Sequence, residues 1–198
     1  MKHGRLTWLR PVDLDPEQRK VYDTITSGPR GRAERNASLT DAEGRLEGPF
    51  NAMLFSPELG GALQALGTSI RYSGLLSDRS RELAILLVAR ASDSDFEWRA
   101  HEHAGRAAGL SEAEISDLRE GLPPPSLSEA ESLAFRVAER LIAERDLPEE
   151  VFTEAASILG EGVITELIIL VGYYSLLALS MRACRTPLPA GMTPAFKH

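Results

Sequence analysis

One four-residue phrase occurs twice in the chain, Ser111-Glu-Ala-Glu114 and Ser128-Glu-Ala-Glu131, each followed within two positions by an apolar residue. A serine with a glutamate three positions later is the capping box, in which side chain and backbone satisfy each other at the start of a helix. Other starts are written differently: Pro16 after Asp15, Pro57 after Ser56, and Pro148, since proline tolerates only the first turn. Between the starts, apolar residues recur three and four apart, as in Leu59, Leu63, Leu66 and Ile70, or Leu133, Val137 and Leu141. That spacing places each set on one helical face. Alternating β-branched runs bounded by hairpin dipeptides are missing, so strands are not expected. The chain reads as all-α, with seven or eight helices joined by short loops.

Two segments read differently. Residues 27–51, SGPRGRAERNASLTDAEGRLEGPFN, hold four glycines and little periodicity, the mark of an irregular arm. The tail TPLPAGMTPAFKH carries three prolines and cannot continue a helix. The expected organisation is therefore an arm with one short helix over 1–48, a helical domain over 49–189 and a tail over 190–198. Within the domain, Leu83 to Val88 is apolar all round, which suits a helix at the centre of a bundle. Glu82 sits at its start and brings a carboxylate into that core.

Charge and cysteine usage narrow the function. A net charge of −7 opposes a broad phosphate-neutralising face, so no nucleic-acid partner is expected. Cys184 is the single cysteine, which excludes an intrachain disulfide, a redox pair and a thiolate zinc site, and suits a reducing cytoplasm. The first residues lack the apolar core of a signal peptide. The run VITELIILVGYYSLLALSM is interrupted by Glu166, and the uncharged stretch after it has 15 residues, fewer than the roughly 20 that span a bilayer. It reads as a buried or intersubunit helix, with no membrane partner.

The densest chemistry lies in SDSDFEWRAHEH, residues 92–103. On a helix starting near Ser94, positions 94, 97 and 101 share one face, so Ser94, Glu97 and His101 can point together while His103 faces elsewhere. If the helices on either side of SDSD form a hairpin, Glu82 returns to the neighbourhood of His101. A histidine near neutral pKa can move protons, and a neighbouring carboxylate would orient it. A glutamate buried without a cation would instead hold its own proton. The same three residues, Glu82, Glu97 and His101, are also a conceivable metal set, and Glu97 with His101 a conceivable surface pair.

The pattern Glu82, eleven residues, Ser94, two residues, Glu97, three residues, His101 resembles that of the carboxymuconolactone decarboxylase and alkylhydroperoxidase-D superfamily. So do RELAILLVARASDSDFEWRAHEHAGRAAGLSEAEI, EGPFNAMLFSPELGGALQALGTSIRY and ELIILVGYYSLLALSMRACRTPLPAG. The resemblance runs from about Pro49 to Pro189. It implies an alkylhydroperoxidase-D-like helical bundle forming trimers or hexamers, and acid/base chemistry without a cofactor on a small-molecule substrate. A small cyclic or lactone-like acid would be decarboxylated, isomerised or opened, with His101, Glu97 and Glu82 as catalytic residues. Ser94, Asn51, Tyr72 and Tyr173 would bind the substrate, helped by Tyr174, and Arg71, Arg90 or Arg99 would meet its carboxylate. The redox branch of the superfamily has cysteines where this chain has Ser94 and Glu97, so alkylhydroperoxidase activity is disfavoured as an alternative; a non-catalytic small-molecule binder is the other.

Overall fold

The structure, a computed structural model, describes residues 1–28 and 39–196. Residues 29–38 of the glycine-rich arm, and 197–198 of the tail, lie outside the described residues. Among the described residues there are nine α-helices and one two-stranded hairpin. The count exceeds seven or eight because Phe50–Met53 forms a helix of a single turn. The fold is all-α.

The chain packs as two compact units, residues 1–73 with 179–197, and residues 74–178. In the first, β1 (Lys2–His3) pairs antiparallel with β2 (Leu6–Thr7) across Gly4, whose φ of +66° is left-handed. A Cβ at Gly4 would overlap the Arg185 carbonyl, so only glycine fits this close approach. The helix α1 (Pro16–Ser27) opens with Asp15 as a capping box to Gln18 and proline in its first turn. It buries Val21 and Ile25, which join Leu46, Phe50, Met53 and Leu54 in the core. The short α2 (Phe50–Met53) precedes α3 (Pro57–Tyr72).

On α3 the expected apolar face is overturned. Leu59 is 71% and Leu66 40% exposed, whereas Gly60, Gln64 and Gly67 are buried. The physical reason is backbone proximity: a Cβ on Gly60 would collide with the Met53 carbonyl. The glycine edge of α3 turns inward because only it lets the chain come so close, and Leu59 and Leu66 are left outside with Leu63 and Ile70 half-buried.

The second unit is built around α4 (Asp78–Ala91), which buries Leu83, Ala84, Ile85, Leu86, Val88 and Ala89. Each large apolar side chain so buried contributes about 1.5–3 kcal/mol. A tight turn with Asp93 at φ +48° leads to α5 (Asp95–Ala107), so the two helices form the expected hairpin. Then come α6 (Glu112–Glu120), α7 (Glu129–Glu144) and α8 (Glu149–Ile158). Both repeated phrases are capping boxes, from Ser111 to Glu114 and from Ser128 to Glu131. Arg79 ties them together, donating to Glu114 at 2.8 Å and Glu131 at 2.6 Å.

The last helix, α9 (Glu161–Cys184), is the one described helix long and apolar enough to cross a membrane by length and composition, with mean hydropathy 1.9. Leu167, Leu170, Tyr173, Tyr174 and Leu177 are nevertheless buried in protein. Its interrupting charge is in use: the Glu166 carboxylate accepts the Leu75 N–H at 2.7 Å and the Leu76 N–H at 3.1 Å. It thereby caps the turn that leads into α4. Gly74 lies directly beneath, where a Cβ would stand 2.8 Å from a Glu166 oxygen.

Candidate active site

The hairpin of α4 and α5 brings Glu82 and His101 together. Nδ1 of His101 and Oε2 of Glu82 are 2.6 Å apart, with the residues 5% and 1% exposed. An ionised carboxylate only accepts hydrogen bonds, so paired with one the imidazole carries a proton on Nδ1. Arg81, next in the chain, brings Nε to 3.4 Å from the other Glu82 oxygen and pairs with Asp78 at 2.8 Å.

Glu97 stands one helical turn before His101 and is 3% exposed. Its carboxyl oxygens are shielded from water and form no ion pair among the described residues. Burial pushes this acid up to about 8, with the Ser94 hydroxyl, also buried, opposing the shift. At neutral pH Glu97 therefore keeps its proton, which makes it a hydrogen-bond donor on the helical face it shares with His101. That is the outcome expected for a glutamate buried without a cation, and a solvated surface pair with His101 is ruled out by the burial of both.

Aromatic rings complete the site. Tyr174 meets the His101 ring edge-on with centroids 5.0 Å apart, and Tyr173 packs edge-on against Tyr174 at 5.2 Å. Both tyrosines are buried. Edge-to-face packing fixes ring planes, so Tyr174 on α9 helps set the orientation of the imidazole.

Other expected site residues have different surroundings. Asn51, in the first unit, is fully buried and its amide is engaged: Oδ1 accepts from the Leu9 N–H at 3.2 Å, and Nδ2 donates to the Thr7 carbonyl at 3.0 Å. It clamps the chain after β2. Tyr72, in the same unit, is 43% exposed beside Arg71. Of the arginines expected for a substrate carboxylate, Arg90 donates to the Arg119 carbonyl and Arg99 to Glu102. Arg81 was not singled out by the sequence. Its signal was adjacency to Glu82, which becomes meaningful only once Glu82 is known to be buried. No group of three or more histidine, cysteine, aspartate or glutamate side chains among the described residues is arranged to hold a metal ion.

Comparison with known proteins follows this geometry. Residues 57–140 match the carboxymuconolactone decarboxylase family. No functionally curated protein matches. An uncharacterized peroxidase-related protein from Silicibacter sp. TM1040 has a similar structure, with TM-score 0.72 at 15% identity, over 97% of this chain and 95% of that one. The debrominase Bmp8, in complex with 2,3,4-tribromopyrrole, superposes with TM-score 0.69 at 17% identity, over 93% of this chain and 91% of that one. These likenesses show the fold.

Proposed function

On the premise that residues 57–140 are a carboxymuconolactone decarboxylase segment in an alkylhydroperoxidase-D-like helical fold, we propose a cofactor-independent acid/base enzyme acting on a small cyclic or lactone-like acid. The observation that carries the reading is the buried 2.6 Å contact between Glu82 and His101, with the proton-holding Glu97 one turn away on the same helix. In a decarboxylation the bond to CO₂ breaks and its electron pair moves through the conjugated system to the lactone carbonyl oxygen. Glu97 donates a hydrogen bond where that charge collects, and His101 delivers the proton that carbon takes up, regaining it from water. Glu82 holds the ring and stabilises its charged form, with Ser94 and Tyr173 contributing polar contacts.

The test is turnover of unsaturated lactone acids, followed by loss of their conjugated absorbance and by CO₂ release. Replacement of His101 by Gln should abolish it with helical content unchanged; activity surviving that replacement removes His101 from the mechanism. Peroxide reduction by a dithiol needs a thiolate and a resolving thiol, and Cys184 is the chain's one cysteine. A binder without turnover is the second reading, supported by the edge-to-face series His101, Tyr174 and Tyr173, a surface suited to a planar ring such as the tribromopyrrole held by Bmp8. A ring compound that binds but is recovered unchanged after long incubation favours it.

The same reading takes the protein as a cytoplasmic homo-oligomer, trimer or hexamer. Ile168, Ile169 and Leu176 on α9 are 48%, 41% and 48% exposed, an apolar stripe of the kind that marks an interaction surface. Light scattering should report a multiple of 21.6 kDa, and Ile169→Glu should lower it.

A further inference from the structure

Next to His101 on α5, Glu102 faces a different way and is 5% exposed. One cation would neutralise a carboxylate so withdrawn from water. Three guanidinium groups converge on it: Arg99 Nη1 at 3.0 Å from Oε2, and Arg106 Nη2 at 3.1 Å and Arg119 Nη2 at 2.6 Å from the same Oε1. Sharing one oxygen holds the last two nitrogens closer together than the sum of those distances. Like charges that near repel, and one carboxylate offsets one of the three.

Two further details single out the gap between Arg106 and Arg119. Nε of Arg119 is shielded from water and has no acceptor among the described residues, while its guanidinium lies 5.4 Å from the centre of the Trp98 ring, which steadies its plane. Arg106 is satisfied mainly from outside, by Glu112, whose carboxylate accepts from Nε at 2.5 Å and from Nη2 at 3.0 Å and is 73% exposed. The forked pair stands in solvent, where salt screens it and a phosphate can compete for the same two nitrogens. Both arginines are 39% exposed, so a ligand can reach them.

We propose that Arg106 and Arg119, supported by Arg99, form an oxyanion site for a doubly charged phosphate group, and that Glu112 is the resident carboxylate which the incoming phosphate displaces. A planar guanidinium pairs with phosphate through parallel N–H bonds, and a doubly charged phosphate carries more negative charge than the single carboxylate of Glu112 that it displaces. The site lies on a different side of α5 from Glu97 and His101 and does not depend on the reaction assigned to them.

The experiment is a titration of the isotope-labelled full chain with inorganic phosphate at fixed ionic strength, following arginine Nε–H and backbone signals by NMR. Saturable shifts should centre on Arg99, Arg106 and Arg119. Arg106→Gln and Arg119→Gln should each weaken binding about tenfold or more. Glu112→Gln, an exposed change that leaves the fold intact, should tighten it several-fold. Shifts that chloride reproduces at equal ionic strength, or a Glu112→Gln protein that binds no better, overturn the proposal. Methyl phosphate in a parallel titration separates the sources: equal affinity assigns the site to the end group of a phosphate ester, and preference for inorganic phosphate assigns it to the free ion.

Discussion

His101 and Glu82, nineteen residues apart in the chain, meet through a 2.6 Å contact between Nδ1 and Oε2 that is shielded from water on both sides. This contact selects one imidazole tautomer. In the wild-type protein, nitrogen chemical shifts should show the proton on Nδ1 whenever the ring is neutral. Glu82→Ala should shift the population toward the Nε2–H form, and turnover should fall at least about a hundredfold. An unchanged tautomer in that variant would mean that Tyr174 alone orients the ring.

Glu97 gives a pH dependence of definite sign. Its native value, about 8, lies above the ordinary 4.5 that applies to the unfolded chain. Between those values the unfolded state has lost a proton that the native state keeps, so stability falls as pH rises through the window and levels off above pH 8. Glu97→Gln removes that slope. Denaturant titrations from pH 5 to pH 9 should show the variant gaining on wild type by on the order of 4 kcal/mol. Parallel curves would mean that Glu97 ionises normally.

Two adjacent glycines should respond oppositely to alanine. At Gly60 the new methyl would collide with the Met53 carbonyl, whereas at Gly61 it would rest 3.8 Å from Val21 Cγ2, an ordinary contact. Gly60→Ala should destabilise by about 2 kcal/mol or more, because backbone must shift. Gly61→Ala should be neutral or gain up to about 1 kcal/mol from helix propensity. Thermal unfolding of the pair decides it, since similar midpoints would contradict the inward-facing glycine edge.

Glu166 is predicted to be a capping residue and not a membrane-embedded charge. Its removal by Glu166→Ala leaves the Leu75 and Leu76 amides to water in place of their acceptor, at about 0.5–1.5 kcal/mol. Hydrogen exchange at those two amides should quicken more than exchange in the centre of α4. Glu166→Gln, which retains an accepting oxygen, should recover part of the protection.

Much of the helical layout was legible because capping is local. Asp15, Ser111 and Ser128 open their helices as the sequence indicates, since each box closes within four residues. The meeting of Glu82 with His101 was legible conditionally, because a tight turn between two helices leaves few alternatives. The inversion of α3 was not. Its leucine spacing is the ordinary mark of a buried face, and only the approach of Met53 to Gly60 shows that backbone proximity outweighed leucine burial. Asn51 was expected to bind substrate from its place in the resembling segments, and its amide is engaged by Thr7 at the end of β2 and by Leu9 just beyond it, more than forty residues upstream.

The sequence by itself determined the all-α class, the helix starts, the shared face of Ser94, Glu97 and His101, and the lack of the sulfurs that dithiol chemistry requires. These follow from short-range geometry and from composition. Tertiary structure alone decided which carboxylate pairs with the histidine and which stays unpaired and holds its proton. It also gathered three arginines on Glu102 and turned the glycines of α3 inward. Burial, charge pairing and steric exclusion depend on neighbours distant in the chain, and one-dimensional spacing carries no record of them.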